Sequence, residues 1–133
     1  MAQKVSTFLM FSGKAEEAMN LYVSLFSGAE VVSIERYGAG EVGNEGTVQH
    51  AVFTLGGTEF HCIDSSVDHA FEFTPAVSLF ITCESVEEVD RLFDELSDGG
   101  TVFMPLDEMP FSRRFGWVAD RYGVSWQLNL PKE

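Results

Sequence analysis

The sequence predicts an α+β fold of two βαβββ modules whose strands form a cupped mixed sheet. Three observations predict it: an internal repeat, two amphipathic helices at matching places in that repeat, and three strand-like stretches after each helix. The repeat lays Ala15-Glu16-Glu17-Ala18 over Val86-Glu87-Glu88-Val89, then Leu21-Tyr22, Leu25, Gly28 and Val31 over Leu92-Phe93, Leu96, Gly99 and Val102, at a constant offset of 71 residues.

The first module, 1–64, opens with the apolar run Val5 to Phe11. Its helix places Ala15, Ala18, Met19, Tyr22, Val23 and Phe26 on one face, and Gly28 supplies a left-handed stop. Strands follow at Glu30 to Tyr37, Thr47 to Leu55 and Thr58 to Asp64, the last two joined through Gly56-Gly57. Ser65 to Pro75 is the connector. The second module, 76–133, opens with Ala76 to Cys83 and continues into a helix with Val86, Val89, Leu92, Phe93 and Leu96 on one face. Ser85 followed by Glu88 reads as a capping box, and Gly99 as the stop. Its strands are Val102 to Met109, Phe115 to Asp120 and Val124 to Leu130.

At 133 residues the chain reads as a single domain built from these two modules. A formal net charge of -13 disfavours nucleic acid and anionic membrane as partners. No stretch approaches the roughly 20 apolar residues of a membrane span, and the N-terminus lacks a signal-peptide layout, so the expected location is the cytoplasm. Cys62 and Cys83 have neither disulfide-framework nor metal-finger spacing and read as buried thiols. The acidic run Glu84 to Asp98 reads as a solvated helix face.

A helix covers only one face of its module's sheet, so the other face is left for a partner or a ligand. The cup between modules is therefore the expected place for a small molecule. Exposed sheet edges further predict a homodimer.

Three segments resemble a known family: Phe8 to Ala18, Ala76 to Leu79, and Gly116 to Gln127, the last reading Gly-Trp-Val-Ala-Asp-Arg-Tyr-Gly-Val-Ser-Trp-Gln. They are similar to the PhnB-like group of the vicinal oxygen chelate superfamily, which includes glyoxalase I, extradiol dioxygenases and bleomycin-resistance proteins. The resemblance covers nearly the whole chain and implies a glyoxalase/bleomycin-resistance-like fold. The group often carries the name 3-demethylubiquinone-9 3-methyltransferase. The sequence has no parallel sheet with a glycine-rich strand-to-helix turn, and Gly38, Gly40 and Gly43 read as loop.

In metal-using members of the superfamily, ligands come from the first and last strands of each module. Carried over by the repeat, those positions are Thr7, His61, Ser78 and Gln127. Of these only His61 is a strong donor for a divalent ion, so no metal and no cofactor are expected. The same side chains suit a polar ligand, since hydroxyl, amide and neutral imidazole each donate and accept. The leading expectation is a binding site for a small polar or aromatic molecule at Thr7, His61, Ser78 and Gln127, joined by His50 and Trp117.

The alternative is a metal-dependent glyoxalase- or dioxygenase-type enzyme using His61, Gln127 and water. A third reading is an interaction module with a vestigial pocket. The sequence leaves open whether any reaction is catalysed. Strand alternation places His50 with Val52 and Thr54, facing either pocket or solvent, with general-base chemistry as one role. His69 reads as a surface residue. Arg113-Arg114, just before the strand of Phe115 and Trp117, would either clamp a carboxylate or phosphate beside an aromatic wall, or meet an acidic partner surface or an internal ion pair.

Overall fold

The computed structural model describes residues 3–133; Met1 and Ala2, the start of the first predicted module, lie outside the described residues. The chain divides into two compact units, Met1–His69 and Ala70–Glu133. The first contains β1 (Thr7–Phe11), α1 (Ala15–Leu25), β2 (Glu30–Arg36), β3 (Val48–Leu55) and β4 (Thr58–Asp64). The second contains β5 (Ser78–Thr82), α2 (Val86–Ser97), β6 (Thr101–Met109), β7 (Ser112–Ala119) and β8 (Ser125–Leu130). Each unit is βαβββ.

Each unit holds one four-stranded mixed sheet, ordered β1-β4-β3-β2 in the first and β5-β8-β7-β6 in the second. The first strand runs parallel to the last, and the remaining pairs are antiparallel. The topology follows from the connections. A helix bridges the first strand of each unit to the far edge, whereas short turns join β3 to β4 and β7 to β8 as neighbours. Gly56 and Gly57 have φ of +57° and +81°, so the first of these turns needs two residues without a Cβ penalty.

Helix α1 buries Ala15, Ala18, Met19, Tyr22 and Leu25. Leu25 replaces Val23 and Phe26 on the inner stripe expected from periodicity. Tyr22 packs on Phe53, which stacks on Phe60 with ring centroids 5.3 Å apart. In the second unit Val89, Leu92 and Leu96 of α2 are buried, as are Val118, Trp126 and Leu128 of its sheet. The helices start differently. Ser85 accepts a hydrogen bond from the Glu88 amide, and the Glu88 carboxylate accepts one from the Glu84 amide, which completes the predicted capping box. Lys14, at the head of α1, makes no side-chain cap. The carboxylate of Asp64, at the end of β4, takes over and accepts from the Gly13 and Ala15 amides.

Two sequence expectations are corrected by the strand registers. Strand β7 begins at Ser112, because Pro110-Phe111 closes a tight turn in which Met109 pairs with Ser112. Arg113 and Arg114 therefore lie within the strand, not before it. The second correction concerns Thr7. Thr7 pairs with Phe60, and it shares the helix-covered face with the buried Leu9 and Phe11. Ser78 pairs with Ser125, on the face away from α2.

The cause is one residue. From Phe8 opposite His61 to Phe80 opposite Gln127 the first strands correspond at an offset of 72, while the helices correspond at 71. Counted from these paired residues, the extra residue lies before the start of α1, in a stretch that contains Gly13 at φ +100°. Since strand side chains alternate with period two, a one-residue offset inverts the face. The counterpart of Ser78 is Ser6, and that of Thr7 is Leu79.

Candidate functional site

The face of the first sheet opposite α1 is built from alternate residues of β4 and β3. Glu59, His61 and Ile63 share it with His50, Val52 and Thr54. His61 Nδ1 lies 2.9 Å from His50 Nε2, and His61 Nε2 lies 2.9 Å from Glu59 Oε2. Glu59 also accepts from Lys4 Nζ at 2.8 Å and from Ser6 Oγ at 3.1 Å. His50 therefore faces the open side with His61, which settles the choice left by its strand alternation.

Hydrogen bonds donated by Lys4 and then by His61 hold the Glu59 carboxyl down to about 2, with Ser6 adding to the effect. The depressed value has a sign. Stability from this cluster is fully present above the usual carboxylate range near 4.5 and is lost as pH falls toward about 2. A Glu59→Gln protein is expected to lose less stability across that window than the wild type, measured as Tm against pH.

In the second unit the corresponding face carries a neutral network. Trp117 Nε1 donates to Ser125 Oγ at 2.8 Å, the Ser125 and Ser78 hydroxyls are 2.6 Å apart, and Gln127 Nε2 donates to Ser78 Oγ at 3.5 Å. Trp117 also meets Phe103, with ring centroids 5.0 Å apart. Gln127 and His61 take corresponding places, each opposite an exposed phenylalanine, Phe80 and Phe8, on the first strand of its unit.

The remaining candidates lie elsewhere. Arg114 Nε donates to Asp90 of α2 at 2.6 Å, so this guanidinium makes the predicted internal ion pair. Arg113 lies 3.7 Å from Glu133. His69 is exposed in the connector, 2.8 Å from Ser65 Oγ. Both thiols are buried. Burial pushes Cys62 up to about 12 and Cys83 up to about 11, with the nearby carboxylates Asp64 and Glu88 adding to the rise. Cys62 pairs with Ala51 and Leu9 on the helix side, away from His61.

Sequence reasoning missed Ser6, Glu59 and Ser125. The available signal was strand alternation, since Glu59 and Ser125 each lie two residues before a predicted site residue, His61 and Gln127.

The positions that hold a metal in metal-using relatives do not fit one in this chain. Thr7 is on the opposite face of its sheet, Ser78 is bonded to Ser125, and Gln127 offers a neutral amide. Both ring nitrogens of His61 are already engaged. Among the described residues, no three of His, Cys, Asp and Glu are grouped to hold a metal ion.

A family described as 3-demethylubiquinone-9 3-methyltransferase matches residues 3–129. The chain belongs to this family. Together with the paired βαβββ units, the match makes it a PhnB-like protein of the vicinal oxygen chelate superfamily. A PhnB protein from Bacillus cereus whose description carries the same methyltransferase name is 61% identical, with a TM-score of 0.94 over 96% of this chain and 99% of that one. Protein YjdN of Escherichia coli is 25% identical, covering 97% of this chain and 96% of YjdN. A glyoxylase/bleomycin resistance protein/dioxygenase domain from Frankia, 16% identical, shares the fold at a TM-score of 0.68 over 100% of this chain and 95% of that domain. In this PhnB-like chain Gly38, Gly40 and Gly43 lie in the loop between β2 and β3, away from any strand-to-helix turn. Among the described residues no helix is long and apolar enough to cross a membrane.

Proposed function

We propose that this PhnB-like protein binds a small polar or aromatic molecule on its open sheet faces, without a strongly held catalytic metal. The observation that carries this reading is that each unit aligns hydrogen-bonding side chains on the face its helix leaves uncovered. Those residues are His50 and His61 in the first unit, and Ser78, Gln127 and Trp117 in the second.

The chemistry suits a ligand with both polar and flat apolar parts. Ser125 accepts from the Trp117 indole and shares a hydrogen bond with Ser78 in which either hydroxyl can donate. Ser78 also accepts from Gln127, so the linked hydroxyls and amide offer a ligand both donors and acceptors. Beside these groups Phe8 and Phe80 are 54% and 56% exposed, an apolar surface that a bound ring would cover. Thr7 takes no part, since it faces α1.

We place the protein in the cytoplasm as a homodimer. Its reduced, buried cysteines suit that compartment, and the exposed edge strand β2 gives a second copy a surface to cover.

Native mass spectrometry of untagged protein, followed by a thermal-shift screen of small aromatic acids, phenols and amides with chelator present, tests the reading. The expected result is a dimer without stoichiometric metal, a raised Tm with at least one compound, and loss of that rise in His61→Ala. Stoichiometric zinc or iron, lost together with a catalytic activity in His61→Ala, would replace it with the metal-dependent enzyme.

A further inference from the structure

On the open face of the second sheet, side chains fall into rows that cross the strands. One row is Phe80, Gln127, Trp117 and Met104, and the next is Thr82, Asn129, Phe115 and Asp107. Each row has a carboxamide on β8 beside an aromatic ring on β7. The Trp117 indole is held in place by Ser125 Oγ and by its contact with Phe103, while Phe80, on the other side of Gln127, is exposed.

The protein leaves both carboxamides with unspent hydrogen-bonding capacity. Gln127 Nε2 makes one long bond, to Ser78 Oγ at 3.5 Å, and Gln127 Oε1 makes none among the described residues. Asn129 Oδ1 is closed off from solvent and has no partner, the one side-chain polar atom among the described residues of which this is true. An acceptor kept from water without a donor is costly, and turning the amide about its last side-chain bond brings it to a donor on the face.

We propose that this face binds an uncharged planar heterocycle with a lactam edge, a C=O beside an N–H, which pairs with the Gln127 carboxamide and lies against Trp117 and Phe80. This rests on the reading that the open faces receive a small molecule, and names its class for the second unit. A carboxamide carries a donor and an acceptor side by side, so a lactam completes two hydrogen bonds with it at once, whereas a carboxylate only accepts. A further ligand N–H supplies the donor that Asn129 Oδ1 lacks. The flat ring covers apolar aromatic surface. A net charge of -13 acts against phosphorylated forms, so the fitting ligand is a free base or a pteridine rather than a nucleotide.

Isothermal titration calorimetry of the full chain tests the proposal, with lumazine as the probe at mildly acidic pH, where it is uncharged. The comparison compound is its N,N′-dimethyl derivative, which keeps the ring and both carbonyls but has no N–H. The wild type is expected to bind lumazine about tenfold or more tightly than the dimethyl compound. Gln127→Leu is expected to bind the two alike, and Trp117→Leu to bind both about tenfold more weakly. Asn129→Leu is expected to weaken lumazine binding without lowering the Tm of the free protein, since it removes an acceptor that has no partner.

Equal affinity of the wild type for the two compounds, or a preference for lumazine that survives Gln127→Leu, overturns the lactam pairing. Should Gln127→Leu fail to fold, the wild-type comparison decides. Absence of lumazine binding while other compounds raise the Tm overturns the ligand class and leaves the binding reading standing. Failure of every compound to raise the Tm instead overturns binding itself.

Discussion

Replacing Asp64 with Ala is expected to lower the unfolding free energy by about 3–5 kcal/mol, because one buried carboxylate accepts from three backbone amides in two separate segments. Oδ1 accepts from the Gly13 and Ala15 amides at 2.7 and 2.9 Å, and Oδ2 accepts from the Val48 amide at 2.9 Å. Lys14 offers α1 no cap of its own, so truncation leaves the helix start and the first residue of β3 without an acceptor. Asp64→Asn keeps one oxygen and is expected to lose about half as much. Urea unfolding at neutral pH measures both, with a shifted midpoint and an unchanged slope. A loss below about 1 kcal/mol in Asp64→Ala would show that water replaces the carboxylate.

The second large effect is expected at Trp126, which is fully buried at the centre of the second unit. Its indole Nε1 donates to Asp120 Oδ2 at 2.8 Å, while Asp120 Oδ1 accepts from the Tyr122 and Val124 amides and shapes the turn into β8. Trp126→Ala removes the largest side chain of this core and is expected to cost about 3–5 kcal/mol, enough to unfold much of the population at physiological temperature. Trp126→Phe keeps most of the volume but removes the indole donor, with an expected cost of about 1–3 kcal/mol. Comparing the two by urea denaturation separates packing from the hydrogen bond. Equal losses would assign the whole effect to the Asp120 contact.

The fold was legible because its signals repeat. The amphipathic helix pattern occurs twice, at a spacing of 71 residues, and Gly56-Gly57 mark a hairpin. His61 and Gln127 lie on strands whose alternation is anchored by the buried neighbours Phe60 and Trp126, whereas alternation alone left the facing of His50 open. Thr7 could not be placed by counting back from the helix, because the pairing register of the first strand with the last is shifted by one residue, relative to the helix, between the units.

Glu59 was hidden for another reason. A carboxylate near the start of a strand reads as solvent-facing, and only the register brings Lys4, Ser6 and His61 around it. The capping of α1 by Asp64 is a contact across 49 residues, beyond the reach of local helix-start signals.

The central claim, a polar binding face that needs no metal, is tested most directly by NMR perturbation mapping of chelator-treated protein with a compound that raises its Tm. The predicted result is saturable shifts on at least one of the two faces, at His50 and His61 or at Ser78, Gln127 and the Trp117 indole, unchanged when zinc is added. Shifts confined to other surfaces, or shifts at these residues that appear only with zinc present, would contradict it.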